Sequence, residues 1–195
     1  MGLREQTREA VRAAIAERAL QLFDERGFDA TSVEDVAAAA GISGRSFHRY
    51  FPAKEDAVIG DATAAGHLVA ETLAARPAGE SPWRAMRAAL EPIAALSDAN
   101  AERTLRVMRV VNGSASLRAR HLEKHLLWSR ILTPIMRERL GERPGGDVPA
   151  QAIVFAALSC LDVAYAGWIA AGGAGRFAQV LDLAFASVGA EEPGQ

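Results

Sequence analysis

The sequence is poor in most features that mark a special class of protein. A single cysteine, Cys160, stands among 195 residues. No internal disulfide can form, which excludes a small bridged extracellular module. Charge of one sign is missing as well: 22 Lys and Arg against 24 Asp and Glu leave a net charge of −2. There is no global basic field of the kind that announces a nucleic-acid partner. The longest apolar text, Ala152–Gly175, is cut by Asp162 into runs of ten and thirteen residues. Each is shorter than the roughly 20 residues needed to cross a bilayer, so a buried helix is expected and no membrane partner. No charged-then-apolar signal segment opens the chain, and a cytoplasmic location is the expectation. Aromatics are few, at 6%, yet half the chain is hydrophobic and 24% is charged. That balance excludes a disordered or collagen-like chain and suits one ordinary domain, or two small ones sharing a core.

Periodicity is helical nearly throughout. Val11, Ile15, Ala19 and Leu22 fall at i, i+4, i+8 and i+11 on one stripe of a first helix that stops at Gly27. Ser32 with Asp35 approximates a capping box for a short helix Val33–Ala40, and Ser43 can cap the next, Gly44–Tyr50. A longer helix is expected from about Ala53 to Ala75, then a break at Arg76–Pro82, then five helices near 82–97, 100–112, 115–141, 148–171 and 174–189. The fold class expected is all-α. A small N-terminal unit is expected over 1–53, a linking helix over 53–75, a larger C-terminal unit over 76–190 and a frayed tail over 191–195.

The informative segment is Thr31–Lys54. Gly41-Ile42-Ser43 is the three-residue turn of a helix-turn-helix, with Gly41 free to end the first helix in the left-handed region. Val36 and Phe47 can pack the pair. Residues 43–54 hold Arg45, Arg49 and Lys54 and no acid, a local positive patch in an otherwise balanced chain. An Arg fork such as Arg45 fits guanine O6 and N7, while Ser46, His48, Arg49 and Tyr50 are types that hydrogen-bond phosphate.

Over Ala13–Ala57 the segment resembles the N-terminal domain of TetR-family transcriptional regulators. The matching text is Leu22-Phe23-Asp24-Glu25-Arg26-Gly27-Phe28, Thr31-Ser32-Val33, Val36-Ala37, Ala40-Gly41-Ile42-Ser43, Phe47-His48-Arg49-Tyr50-Phe51 and Lys54-Glu55. The resemblance implies a three-helix DNA-binding domain and a helical effector domain, working as a homodimer on a near-palindromic operator. Such a protein is usually a repressor released by a small molecule. By position, Ser43, Gly44, Arg45, Ser46, His48, Arg49 and Tyr50 would form the recognition helix. Thr31 or Ser32 would hold phosphate at the start of the second helix, and Lys54 would add a phosphate contact. The family usually has tyrosine where this chain has His48. The last two helices, with Ala156, Ala157, Cys160, Leu161, Ala164, Val180, Leu181 and Ala184, suit a twofold mate.

An effector pocket is expected among Trp83, Arg87, Arg106, Arg109, Asn112, His125, Trp128 and Tyr165, set in apolar text with Arg103, His121 and Trp168. Arg103, Arg106 and Arg109 form a basic strip that either holds an acidic or acyl-type ligand or is simply a solvated face. His121 and His125 have the spacing of two metal ligands, with Cys160 or Asp162 as a third, but partly exposed histidines explain them equally well. No metal and no cofactor is assigned. The zinc-protease signature fails, because Glu123 follows His121 one residue late. Gly173-Ala174-Gly175-Arg176-Phe177-Ala178 spells a dinucleotide-type string without a preceding strand, and Cys160 lies in apolar text as a structural cysteine. No nucleophile triad or carboxylate pair stands out, so no enzyme is expected. The alternative is a helical small-molecule or lipid carrier without DNA binding, against which the acid-free stretch 43–54 argues.

Overall fold

In a computed structural model of the chain, which describes residues 2–142 and 144–189, helix follows helix and no strand occurs among those residues. Among the described residues eleven helices are present: α1 Leu3–Arg26, α2 Val33–Ala39, α3 Gly44–Tyr50, α4 Asp56–Ile59, α5 Ala62–Ala74, α6 Pro82–Ala89, α7 Glu91–Ala99, α8 Ala101–Gly113, α9 Ala115–Leu140, α10 Val148–Ala170 and α11 Phe177–Gly189. The fold is all-α. The tail at 191–195 lies outside the described residues.

Two expected helices are each broken in two. The helix expected from Ala53 to Ala75 is interrupted between α4 and α5, because Gly60 sits at φ 74° and its N–H closes α4 on Asp56 O at 3.1 Å. Only glycine adopts that conformation without cost. The helix expected over 82–97 stops at Leu90 and restarts at Glu91. Pro92 has no N–H to give to the Ala88 carbonyl, so the ladder cannot run through. α11 begins at Phe177, three residues later than expected, where Asp98 of α7 accepts the Phe177 and Ala178 amides at 2.5 and 3.4 Å. A carboxylate at a helix start satisfies orphan donors and opposes the positive end of the dipole.

The chain divides into two compact units. One comprises Met1–Asp61 with Arg106–Leu122, the other Ala62–Leu105 with Glu123–Gln195, so the division falls inside α8 and α9. The first unit has a single apolar core. Ile15, Ala19, Leu20 and Phe23 of α1 meet Val36 and Ala37 of α2, Phe47 of α3, and Ala57 and Val58 of α4. Val110, Val111 and Leu117 belong to the same cluster. The contacts thus group Arg106–Leu122 with the helix-turn-helix, although sequence alone assigns them to the C-terminal domain.

The second unit is built on α10, the one described helix long and apolar enough to span a membrane by length and composition. Its Val154, Ala157, Leu158, Leu161, Ala164 and Trp168 are buried inside the unit. Asp162 faces His125 of α9 at 3.2 Å. The helix carries little amphipathic signal because its exposed face, with Phe155 and Val163, is apolar too. α5 lies close to α9 at Gly66, where an added Cβ would stand 2.9 Å from Trp128 Cδ1.

Candidate nucleic-acid interface and effector sites

The turn between α2 and α3 forms as its residue types require. Gly41 takes φ 68°, and Ser43 caps α3 by accepting the Ser46 amide at 3.2 Å while its hydroxyl donates to Ser46 Oγ at 3.1 Å. Ser32 completes a capping box on α2. Its hydroxyl accepts the Asp35 amide at 3.1 Å, and its own amide donates to Asp35 Oδ2 at 2.8 Å. The Ser32 hydroxyl also donates to Asp35 Oδ2 at 2.5 Å, and this donation, followed by that of the amide, holds the Asp35 carboxyl below its ordinary pKa. Val36 and Phe47 are fully buried against one another's helices. The opposite face of α3 is left to solvent. Arg45, His48 and Arg49 are exposed, Arg49 lies over the Tyr50 ring at 5.3 Å, and His48 is edge-on to Phe47 at 5.7 Å. Among the described residues, Arg45 has no side-chain hydrogen bond or ion pair.

Two residues expected to touch phosphate are placed otherwise. Thr31 is 1% exposed and donates its hydroxyl to Gly27 O at 2.8 Å. It closes the turn after α1 and does not reach out, which leaves Ser32 as the exposed member of the pair. Lys54 turns back onto the same turn. Its ammonium donates to Phe28 O and Thr31 O, both at 2.8 Å, and sits 4.0 Å from the Phe28 ring centroid. Of three ammonium donors, two serve the fold. No local signal marks this clamp, because its acceptors are backbone carbonyls 26 and 23 residues away.

The expected effector residues are divided between the two units. Arg106 and Arg109 belong to the first unit, where Arg106 pairs with Glu17 at 3.0 Å and Arg109 with Asp24 at 3.4 Å, both acids of α1. They tie α8 to α1 as part of that unit's fold. Asn112 is exposed in the same unit, and its carbonyl accepts from Arg118 at 2.6 Å. In the second unit Tyr165 is buried, shares a hydrogen bond with Ser97 at 2.8 Å and stacks on Phe177 at 4.2 Å; burial pushes its hydroxyl pKa up. Trp128 is buried and donates to Ala62 O at 2.8 Å. Beside it, Lys124 lies 5.0 Å from the Trp128 ring centroid. Burial pushes the Lys124 ammonium down to about 8, with Asp162 acting in the other direction. His125 is held on Asp162, while Cys160 sits apart, its thiol raised by burial and directed at Ala184 O, 3.6 Å away.

Trp83 and Arg87 alone of the eight line a cavity of about 750 Å³ in the second unit, with Arg76, Glu80, Arg84 and Phe185. Trp83 donates to Phe185 O at 3.2 Å and packs on its ring at 4.6 Å. Arg84 and Phe185 were not foreseen. Arg84 was legible as the neighbour of Trp83 one turn from Ala88, whereas Phe185 lies a hundred residues away in sequence.

A second apolar surface runs along α10 and α11. Ala156, Cys160, Val163, Gly167, Leu183 and Val188 line a groove of about 560 Å³, and Val163 and Leu183 are 65% and 69% exposed. Ala157, Leu161 and Leu181, expected to face a twofold mate, are instead buried in the unit's own core. The exposed stripe is offset from them by the helical repeat.

Residues 15–58 match the family of bacterial regulatory proteins of the tetR type, and residues 80–193 match the MftR C-terminal domain. The chain belongs to the TetR family. Among its relatives is the regulator TcmR of Streptomyces glaucescens, 30% identical over 129 residues, a match that covers 63% of this chain and 57% of TcmR. The chain therefore spans little more than half of that relative. MftR of Mycobacterium tuberculosis, named as a mycofactocin biosynthesis transcriptional regulator, is 28% identical over 157 residues, covering 80% of this chain and 78% of MftR. The same fold is found in the TetR-family repressor FadR of Thermus thermophilus, solved with lauroyl-CoA. There the TM-score is 0.58 at 20% identity, over 94% of this chain and 96% of that one. In this TetR-family chain the helix-turn-helix and the matched N-terminal segment coincide in α1 to α4.

Proposed function

We propose that the protein is a homodimeric repressor that binds a near-palindromic operator and is released by a small apolar or acyl-type effector. One observation carries the reading: α3 presents Arg45, His48 and Arg49 to solvent from a capped, tightly packed helix-turn-helix, with no acid between residues 43 and 54. Arg45 reads a base edge near the start of α3. Ser32, Ser43, Gly44, Ser46, His48, Arg49 and Tyr50 supply or shape phosphate contacts around it. Family membership supports this reading. The acyl-type effector is supported by the lauroyl-CoA held by the Thermus protein, and the twofold mate by the exposed apolar stripe of Val163, Leu183 and Val188. A regulator of this kind works in the cytoplasm and performs no catalysis.

The test is binding to DNA fragments from the gene's own neighbourhood at about 50 and 200 mM salt. A protected near-palindrome is expected, with affinity falling steeply as salt rises, because neutralised phosphates release counterions. Arg45→Ala should cost about 1–3 kcal/mol and relax preference at one position of each half-site. Unchanged discrimination in that variant would remove the base-reading role, and a flat salt dependence would remove the DNA-binding reading.

A further inference from the structure

We propose that the groove beside α6 is a binding site for a flat, aromatic organic monoanion, with Trp83 and Phe185 beneath the ring system and Arg84 as the counter-charge. The inference goes beyond the regulator reading and does not depend on it.

The groove is built before any ligand arrives. Its rim is the segment between α5 and α6. There Arg76 and Glu80 form a two-point ion pair at 2.7 and 2.8 Å. Arg139 fastens the backbone beneath by donating to Arg76 O at 3.0 Å and Pro77 O at 2.7 Å. The far wall is Arg87, which donates to Asp182 at 2.6 Å and to Glu91 at 2.9 Å. The floor is the Trp83–Phe185 pair, whose rings lie 33° apart. Gly189 ends α11 so close to the indole that an added Cβ would stand 2.5 Å from Trp83 Nε1.

Charge accounting then points to the ligand. The lining holds three cations, Arg76, Arg84 and Arg87, and two anions, Glu80 and Glu91. Arg76 is matched by Glu80, and Arg87 by Glu91 with Asp182. Arg84 is exposed and its guanidinium has no hydrogen bond or ion pair among the described residues. With Asp182 on Arg87 and Arg139 at the rim, four cations stand against three anions. Arg84 acts on Glu80 only through space, without a direct contact, so one positive charge is left over beside an aromatic floor. A planar fork of donors fits a carboxylate in a bidentate manner, and an indole face next to a phenyl ring favours an offset flat ring over a flexible chain. A ligand with two or more charges would place the excess against Glu80 and Glu91, where it is repelled.

The experiment is calorimetric titration of the full chain with 1-naphthoate, its uncharged relative 1-naphthalenemethanol, and dodecanoate. Naphthoate should bind best. Arg84→Gln should weaken it at least tenfold, about 1.4 kcal/mol, and leave the uncharged compound unaffected. Ala88→Phe, which fills the groove from its own lining, should abolish binding of both ring compounds without lowering thermal stability. A second readout follows from burial: Trp128 and Trp168 are each 1% exposed, so acrylamide quenching reports mainly on half-buried Trp83. Naphthoate should protect the tryptophan emission in the parent and not in Trp83→Phe. The proposal is overturned if naphthoate gives no saturable heat, if Arg84→Gln binds it as well as the parent does, or if dodecanoate binds equally tightly.

Discussion

Lys54 sits where a phosphate contact is expected, yet its ammonium is engaged with the carbonyls of Phe28 and Thr31. Charged hydrogen bonds of this kind contribute about 1.5–3 kcal/mol each when they are not replaced by water. Lys54→Ala should therefore lower the stability of the chain by about 1–3 kcal/mol in urea unfolding, as well as weakening DNA binding. A variant that lost salt dependence at unchanged stability would make Lys54 a phosphate ligand and nothing more. Lys124 works in the opposite sense. Its folded pKa, about 8, lies below its value in the unfolded chain, so the folded state holds the proton less tightly. The cost is fully present below pH 8 and is relieved as pH rises from there toward the unfolded value. Lys124→Met should raise the stability by about 1–2 kcal/mol near neutrality, since each pKa unit is worth about 1.4 kcal/mol and the side chain keeps some solvent. Its advantage should shrink in melting curves recorded from pH 8 to pH 10. Neither role was legible from residue type: a lysine in a basic stretch, or one on a helix face, reads as solvated until its neighbours are known.

At the level of elements the sequence was most informative where a local rule acts. Gly41, Ser43, Ser32 and Asp35 place the helix-turn-helix because turn and cap chemistry lies within three residues of the position it controls. The exposed face of α3 follows from that placement, so Arg45 and His48 were legible from the chain. The breaks at Gly60 and Leu90 were not. A glycine inside an apolar helical pattern is often tolerated, and only the backbone shows that Gly60 takes φ 74° while Gly66 stays helical. Thr31 and Phe185 were misjudged or missed for a related reason, since their partners are set by tertiary packing. Gly66 offers an element-scale test. Alanine is better than glycine in a helix interior by about 1 kcal/mol, but here its Cβ would press on Trp128 Cδ1 at 2.9 Å and Ile131 Cδ1 at 3.1 Å. Gly66→Ala should lower stability by about 1–3 kcal/mol, as overpacked cores do. A rise in melting temperature would mean that α5 and α9 separate without cost.

For the molecule as a whole, Val163, Leu183 and Val188 form an exposed apolar stripe whose removal from water would be favourable. Leu183→Glu should turn the proposed dimer into a monomer in sedimentation velocity while leaving the helical circular dichroism intact. Operator affinity should fall at least tenfold, because two half-sites about 34–36 Å apart need two linked recognition helices. A dimer that survived this change would have to use another face. The make-up of the first unit bears on how such a regulator can be recombined. Its core is not a contiguous stretch of gene: Val110, Val111 and Leu117 fill it from α8 and α9. A chimera cut after Asp61 would carry a DNA-binding head with an uncovered oily flank and three foreign side chains pressed against it. Swapping operator specificity between relatives by exchanging heads should therefore yield soluble protein only when residues 106–122 travel with 1–61 as a second insert.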